Sequence, residues 1–234
     1  MPGIEITGLR FSFGGPAVLK GVDLRVDQGS LVTIFGPNGT GKTTLLKILA
    51  GLLRPSKGTV FIAGVDATRA PNSLRRLIGM ISHQPYLYPQ LTGRENLEFY
   101  ARLYGLKDPR AKAGRMLEEL KMTAAAESEV GTYSRGMQQR LAVARALLHD
   151  PRVLLLDEPF TGLDPQGREQ LSGLLHGLRD GERTVIMTTH DLDEGLDLSD
   201  RVAILARGKV ALDLPAAGLD HAAFRALYRE TLGT

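Results

Sequence analysis

The eight residues GPNGTGKT, from Gly36 to Thr43, fit the pattern G-x-x-x-x-G-K-[ST], in which a backbone loop wraps a chain of phosphates. Gly36, Gly39 and Gly41 let the backbone turn so that successive N–H groups face inward, and Pro37, Asn38 and Thr40 complete the loop. A helix opening at its end adds partial positive charge. Lys42 offers a point charge for β- and γ-phosphates, the Thr43 hydroxyl a ligand for Mg²⁺, and Thr44 a contact to the α-phosphate. A glycine-rich turn that happens to precede Lys-Thr is the bland alternative, and the motif alone leaves it open.

Other residues suit the chemistry such a loop would need. VLLLDEP, Val153 to Pro159, closes an apolar run with two carboxylates, and the carboxyl end of a strand is where ligands bind in parallel sheets. Asp157 is expected to hold Mg²⁺ through water, and Glu158, facing the other way, to act as catalytic base by orienting the attacking water. THD, Thr189 to Asp191, closes the next apolar run and brings His190 to the same edge, where its imidazole could hydrogen-bond the γ-phosphate and the water. Gln84, after the apolar LIGMIS, carries an uncharged amide that could contact Mg²⁺ or the water. YSRGMQQR, Tyr133 to Arg140, opens a helix with Ser134 and Gly136 at its head, so a hydroxyl, backbone N–H groups and a helix dipole await an anion. Simple capping by Ser134 explains the hydroxyl but not the rest of the pattern.

These residues need a scaffold that gathers distant strand ends. IEITGLRFSF, VDLRV (Val22 to Val26) and GTVFIAG (Gly58 to Gly64) have the period of two expected of a small antiparallel sheet. LVTIF, the glycine-rich loop and KTTLLKILAGLL read as strand, turn and helix. VLLL and TVIMTT, with a helix-like stretch from Gln166 to Leu178 between them, imply a parallel sheet covered on both faces. From 85 to 150 strand signals give way to three helical patterns, ENLEFYARLYG, RAKAGRMLEELK and SRGMQQRLAVARALLHD. RVAILA and KVALD flank a hairpin turn at Arg207-Gly208, and an amphipathic helix follows Asp220. The expected fold is α/β, a P-loop NTPase core with a parallel sheet, a small antiparallel β subdomain and an inserted helical subdomain. It forms one domain over 1–234, with 1–84 and 151–234 as core and antiparallel sheet and 85–150 as the helical part.

Composition narrows the function classes. A hydrophobic share of 43% in 234 residues is enough for a substantial interior. The balance of 29 Lys plus Arg against 26 Asp plus Glu, without a block of like charge, argues weakly for nucleic acid. The absence of cysteine excludes disulfides, thiolate zinc sites and a thiol nucleophile. Glu5 interrupts the first apolar stretch, so that stretch does not read as a signal peptide, and no apolar run reaches the length of a bilayer span. Membrane association is therefore expected only through a partner.

Taken together, these motifs resemble the nucleotide-binding subunit of ABC transporters over nearly the whole chain. In that family's terms GPNGTGKT resembles the Walker A loop, Gln84 the Q-loop, Tyr133 to Met137 the signature, VLLLDEP the Walker B strand, Gly162-Leu163-Asp164 the D-loop and His190 the switch histidine. The resemblance implies an ATPase with ATP and Mg²⁺ as cofactors, in which two identical or different subunits pack head to tail around two nucleotides. Each signature would then face the partner's Walker A loop, and the pair would drive a transmembrane permease from the cytoplasmic face of the membrane. The usual signature reads Leu-Ser-Gly-Gly-Gln, so Tyr133, Arg135 and Met137 are departures, while Ser134 and Gly136 remain to meet phosphate. Arg135 adds a cation that could touch the partner's ribose or phosphate. Phe13 stands where the family usually places a Tyr that stacks on adenine, and stacking needs only the ring.

The stretch from the signature to the D-loop looks most like bacterial export subunits, especially the haem-exporter type linked to cytochrome c maturation. PYLYPQL, Pro85 to Leu91, could line a groove for a permease helix or be buried within the helical part. Three rivals share the phosphate loop. A DNA-acting relative would place long coiled coils between Gln84 and Ser134, a ribosome-acting one would carry two cassettes, and a stand-alone kinase would leave YSRGM, the D-loop and His190 unexplained.

Overall fold

The computed structural model describes residues 2–69, 71–82, 84–178 and 181–233, with only the backbone of residues 71 and 72. The chain runs β1 (Pro2–Phe11), β2 (Leu19–Asp27), β3 (Leu31–Phe35), α1 (Lys42–Leu49), β4 (Lys57–Ile62), β5 (Val65–Asp66), α2 (Pro71–Leu74) and β6 (Ile78–Ile81). There follow α3 (Gly93–Leu103), α4 (Pro109–Glu119), α5 (Arg135–Leu147), β7 (Val153–Asp157), α6 (Pro165–Gly177), β8 (Thr184–Thr189), α7 (Leu192–Leu198), β9 (Arg201–Ala206), β10 (Lys209–Pro215) and α8 (His221–Leu232).

Two sheets form, as the two kinds of strand pattern imply. The alternating strands make an antiparallel sheet of order β2-β1-β4-β5. The continuous apolar strands make a six-stranded sheet of order β10-β9-β3-β8-β7-β6, parallel except for β10, which returns from β9 as a hairpin. Arg207 and Gly208, at φ 51° and 80°, make that hairpin's turn.

Side chains on the central strands leave alternately to the two faces. Val32, Ile34, Val153, Leu155 and Ile186 join α1 and the antiparallel sheet in one core, while Leu154, Leu156, Val185 and Met187 pack with Leu171 and Leu175 of α6 on the other. A third cluster belongs to the helical segment: Leu97 and Ala101 of α3, Met116 and Leu117 of α4, and Leu141, Ala144 and Leu148 at the α5 end. The opposite side of α5 contributes Val143 and Ala146 to the sheet's core, so this helix is shared between lobe and core. Arg145 adds a polar tie there: its buried guanidinium donates to the Met80 carbonyl at 2.6 Å and lies 5.3 Å from the centre of the Tyr100 ring and 5.8 Å from that of Tyr86.

PYLYPQL is partly packed and partly exposed. Leu87 packs on the helical cluster, whereas Tyr86 and Tyr88 stay about half exposed, with Tyr88 edge-on to Phe99. Among the described residues no helix is long and apolar enough to cross a membrane.

Candidate functional site: a phosphate cradle at the strand ends

Parallel register brings the chemistry together. Asp157 at the end of β7 pairs with Thr188 of β8, and Ile34 and Phe35 at the end of β3 pair with Thr188 and Thr189. The loop after Phe35, the Asp157-Glu158 pair and His190 therefore leave the same edge of the sheet, where ligands of such sheets bind.

The loop has the shape its glycines imply. Gly41 sits at φ 105°, and a Cβ there would come within 2.7 Å of Leu19 Cδ2, so only glycine fits between the helix and the β2 strand. Helix α1 begins directly after it with no side-chain cap. Helices α3 to α8 are capped by Thr92, Asp108, Ser134, Asp164, Asp191 and Asp220. The first-turn N–H groups of α1 are thus left to an anion, aided by the helix dipole. Lys42, 6% exposed, donates to the Gly36 carbonyl at 2.5 Å and the Pro37 carbonyl at 3.4 Å and lies 3.5 Å from Glu158 Oε1. Thr40 turns its hydroxyl back to the Pro37 carbonyl.

Thr43 Oγ1 donates to Asp157 Oδ1 at 3.1 Å, and Thr188 Oγ1 donates to the same oxygen at 2.7 Å. Asp157 is 1% exposed, and a carboxylate so deep needs such partners. One buried carboxylate beside one hydroxyl is a hard-oxygen donor set suited to Mg²⁺, which takes one or two protein ligands plus phosphate oxygens and water. It is a poor cage for a metal on its own, and no cluster of three acidic or imidazole ligands occurs among the described residues.

At Glu158 the backbone reverses, with φ 51°, and its N–H donates to the Thr188 carbonyl at 2.9 Å. A non-glycine residue there holds about 1–3 kcal/mol of strain, tolerated where the surroundings fix it. The reversal turns Glu158 back toward the cradle, where Oε2 meets His190 Nδ1 at 2.8 Å. Lys42, Glu158 and His190 thus form one chain of contacts.

The remaining expected residues lie apart. Ser134 caps α5 by accepting from the Met137 N–H at 3.3 Å, and with Arg135 and Gly136 it lines a pocket of about 310 Å³ shared with Gly162 and Asp164 of the D-loop. None of residues 36–44 lines that pocket. Arg135 lies flat against Gly162, where an added Cβ would come within 2.5 Å of its guanidinium carbon. Tyr133 is a core residue: its ring is buried and its hydroxyl donates to the Ala125 carbonyl at 2.5 Å. Phe13 is 69% exposed, with its ring edge-on to Phe11. Gln84 is exposed and its side chain makes no hydrogen bond among the described residues, so this conformation does not bring it to Thr43 or Asp157. Sequence reasoning missed Thr188. Its signal was a hydroxyl inside an otherwise apolar buried strand, which must find a partner.

A parallel sheet that ends in this loop, one buried carboxylate and an adjacent carboxylate-imidazole pair defines a P-loop NTPase. The chain belongs to the ABC transporter family, whose description "ABC transporter" matches residues 19–161. It is 39% identical over 209 residues to the daunorubicin resistance ATP-binding protein DrrA3 of Streptomyces coeruleorubidus, an alignment covering 88% of this chain and 66% of that one. It is 37% identical to the uncharacterised ABC transporter ATP-binding protein YdbJ of Bacillus subtilis, over 97% of this chain and 73% of that one. The sulfate/thiosulfate import ATP-binding protein CysA of Synechococcus elongatus shares 39% identity over 89% of this chain and 61% of its own length. The chain therefore spans about two thirds of the length of these curated relatives. Among solved structures, the dimeric post-hydrolysis state of an ATP-binding cassette bound to ADP and Pi superposes with a TM-score of 0.82 at 29% identity, over 92% of this chain and all of that one. An ATP-binding subunit of an ABC transporter superposes with a TM-score of 0.85 at 29% identity, over 97% of this chain and 98% of that one.

Proposed function

We propose that two copies of this domain, or this domain and a close relative, bind two Mg-ATP head to tail, hydrolyse them, and drive a transmembrane permease from the cytoplasmic face of the membrane. The observation that carries this is a site divided within one chain. Lys42, Thr43, Asp157, Glu158 and His190 converge on one cradle, while Ser134 and Gly136 line, with Arg135, a second pocket that contains none of those five residues; Arg135 alone also borders Glu158. The neighbour described as dimeric, with ADP and Pi, supports the pairing.

In this reading the loop amides and Lys42 hold the β- and γ-phosphates, and Phe13 stacks on adenine. Thr43, Asp157 and Gln84 would hold Mg²⁺, which would supply neutralising charge at the phosphate oxygens. Glu158 accepts a hydrogen bond from the attacking water, and His190, already bonded to Glu158, steadies both water and γ-phosphate. From the second chain come the Ser134 hydroxyl, the Gly136 amide and the Arg135 cation.

Export is the proposed direction, supported by relatives named for daunorubicin resistance and for Nod factor export, against one named for import. The narrower haem-exporter reading rests on the signature-to-D-loop resemblance alone. Only α3, α4 and short turns lie between Gln84 and Ser134, which weighs against a DNA-acting machine. The test is light scattering of Glu158→Gln with Mg-ATP: it binds nucleotide, does not turn over and accumulates as a dimer, and adding Ser134→Arg returns it to monomer. A Glu158→Gln protein that hydrolyses ATP normally, or remains a monomer, overturns the proposal.

A further inference from the structure

The geometry points to Arg168 as the residue that fixes where His190 stands, by tying the D-loop to the segment that carries the imidazole; this rests on the role proposed above for His190. Arg168 lies in the first turn of α6 and reaches three groups at once. Its Nε donates to the Leu163 carbonyl at 3.4 Å, and its Nη1 donates to Asp191 Oδ2 at 3.1 Å. Glu194 Oε2 stands 3.0 Å from the same Nη1, a close ion pair without the alignment of a hydrogen bond.

Asp191 is held on its other sides too. Its Oδ1 accepts from the N–H groups of Asp193 at 3.2 Å and Glu194 at 3.3 Å, capping α7, and its own N–H donates to Thr189 Oγ1 at 3.0 Å. His190 is therefore the one residue between Thr189, which belongs to the sheet, and Asp191, which belongs to the clamp. Its ring is largely in solvent, 62% exposed, and its contact with Glu158 is a single 2.8 Å bond. Burial does not aim this imidazole, so the backbone on either side must. Arg168 supplies that constraint from α6 and, through the Leu163 carbonyl, makes it depend on where the D-loop lies. Two carboxylates face the one Nη1, so charge is the larger part of this clamp; an ammonium keeps that charge and loses the Nε bond to the Leu163 carbonyl, and so restores the constraint in part.

Arg168 is thus a positioning residue, and its loss is expected in turnover rather than binding. The experiment measures steady-state ATPase and calorimetric Mg-ATP affinity for Arg168→Met and Arg168→Lys, with His190→Ala in parallel. Arg168→Met should lower kcat about tenfold with KM and affinity within about twofold, and Arg168→Lys should recover a third or more of the rate. On a His190→Ala background, followed by single turnover, Arg168→Met should add no further loss, because both act through one imidazole. Turnover of Arg168→Met within about twofold of the parent, no recovery by Lys, or losses that multiply would overturn the inference. If His190→Ala is too slow to follow, the Met and Lys comparison decides. If Arg168→Met fails to fold, Asp191→Asn keeps the α7 cap and removes the Arg168–Asp191 ion pair, the contact that reaches the residue next to His190, and unchanged turnover there refutes the clamp. A His190→Ala protein at parental rate removes the histidine's role itself, whereas a normal Arg168→Met beside an inactive His190→Ala removes only the positioning.

Discussion

Replacing Thr188 by valine keeps the shape of the side chain and deletes the 2.7 Å hydrogen bond to Asp157 Oδ1. That oxygen would retain only Thr43 Oγ1 at 3.1 Å, in a carboxylate 1% exposed. A hydrogen bond to a charged group is worth about 1.5–3 kcal/mol, and water cannot replace it at this depth. For a chain of this size that is a fall in Tm of roughly 3–12 °C. Thr188→Ser is the control: it keeps the hydroxyl and loses one buried methyl, about 0.5–1.5 kcal/mol. Denaturation of the three proteins in nucleotide-free buffer with a chelator should therefore rank Thr above Ser above Val. If packing decides instead, valine equals threonine and serine is weakest. That order, or a valine variant within about 1 °C of the parent, would refute the claim that Thr188 holds the carboxylate in place.

Two further outcomes follow from contacts already described. Lys42→Ala should weaken nucleotide binding by about 1.5–3 kcal/mol, a roughly 10- to 150-fold rise in Kd by calorimetry, and unchanged affinity would contradict the cradle. His221, at the start of α8, has Nδ1 2.9 Å from Asp193 Oδ1 and Nε2 3.0 Å from Asp197 Oδ1, while Arg225 pairs with Asp193. The hydrogen bond to Asp193, with the charges of both carboxylates, raises the imidazole above its ordinary value. A raised folded value means the contribution is complete below about pH 6.5 and lost as pH rises through the folded value. The Tm difference between the parent and His221→Gln should follow that course, and a difference independent of pH would exclude the contact's role.

Much of this architecture is legible in the sequence because its signals are local. LVTIF, VLLL and TVIMTT are continuous apolar runs, and such runs become central strands buried on both faces. GPNGTGKT needs its glycines for backbone reasons, so its chemistry shows in eight consecutive residues. Less local features are harder to read. β6 is four residues long and looks only like an apolar stretch, and α7 is seven residues of LDEGLDL, too short and acidic for its period to show. The role of Tyr133 depends on a pocket made by the Ala125 carbonyl and by Gly93, the latter distant in sequence, so it reads as part of a phosphate motif although it is core. Likewise α5 has one apolar pattern but two destinations, because 141, 144 and 148 face the helical cluster while 143 and 146 face the sheet. The ion pairs of Arg168 join α6 to α7 across 23 and 26 positions, a separation that no motif spacing reveals.

The bare head of the helix at Lys42 bears on how long the domain endures. An element finished only by a dissolved anion is completed from outside the chain. By mass action, each tenfold rise in free nucleotide above its dissociation constant favours the folded form by about 1.4 kcal/mol. Copies without bound nucleotide would thus be softer and easier for proteases to open.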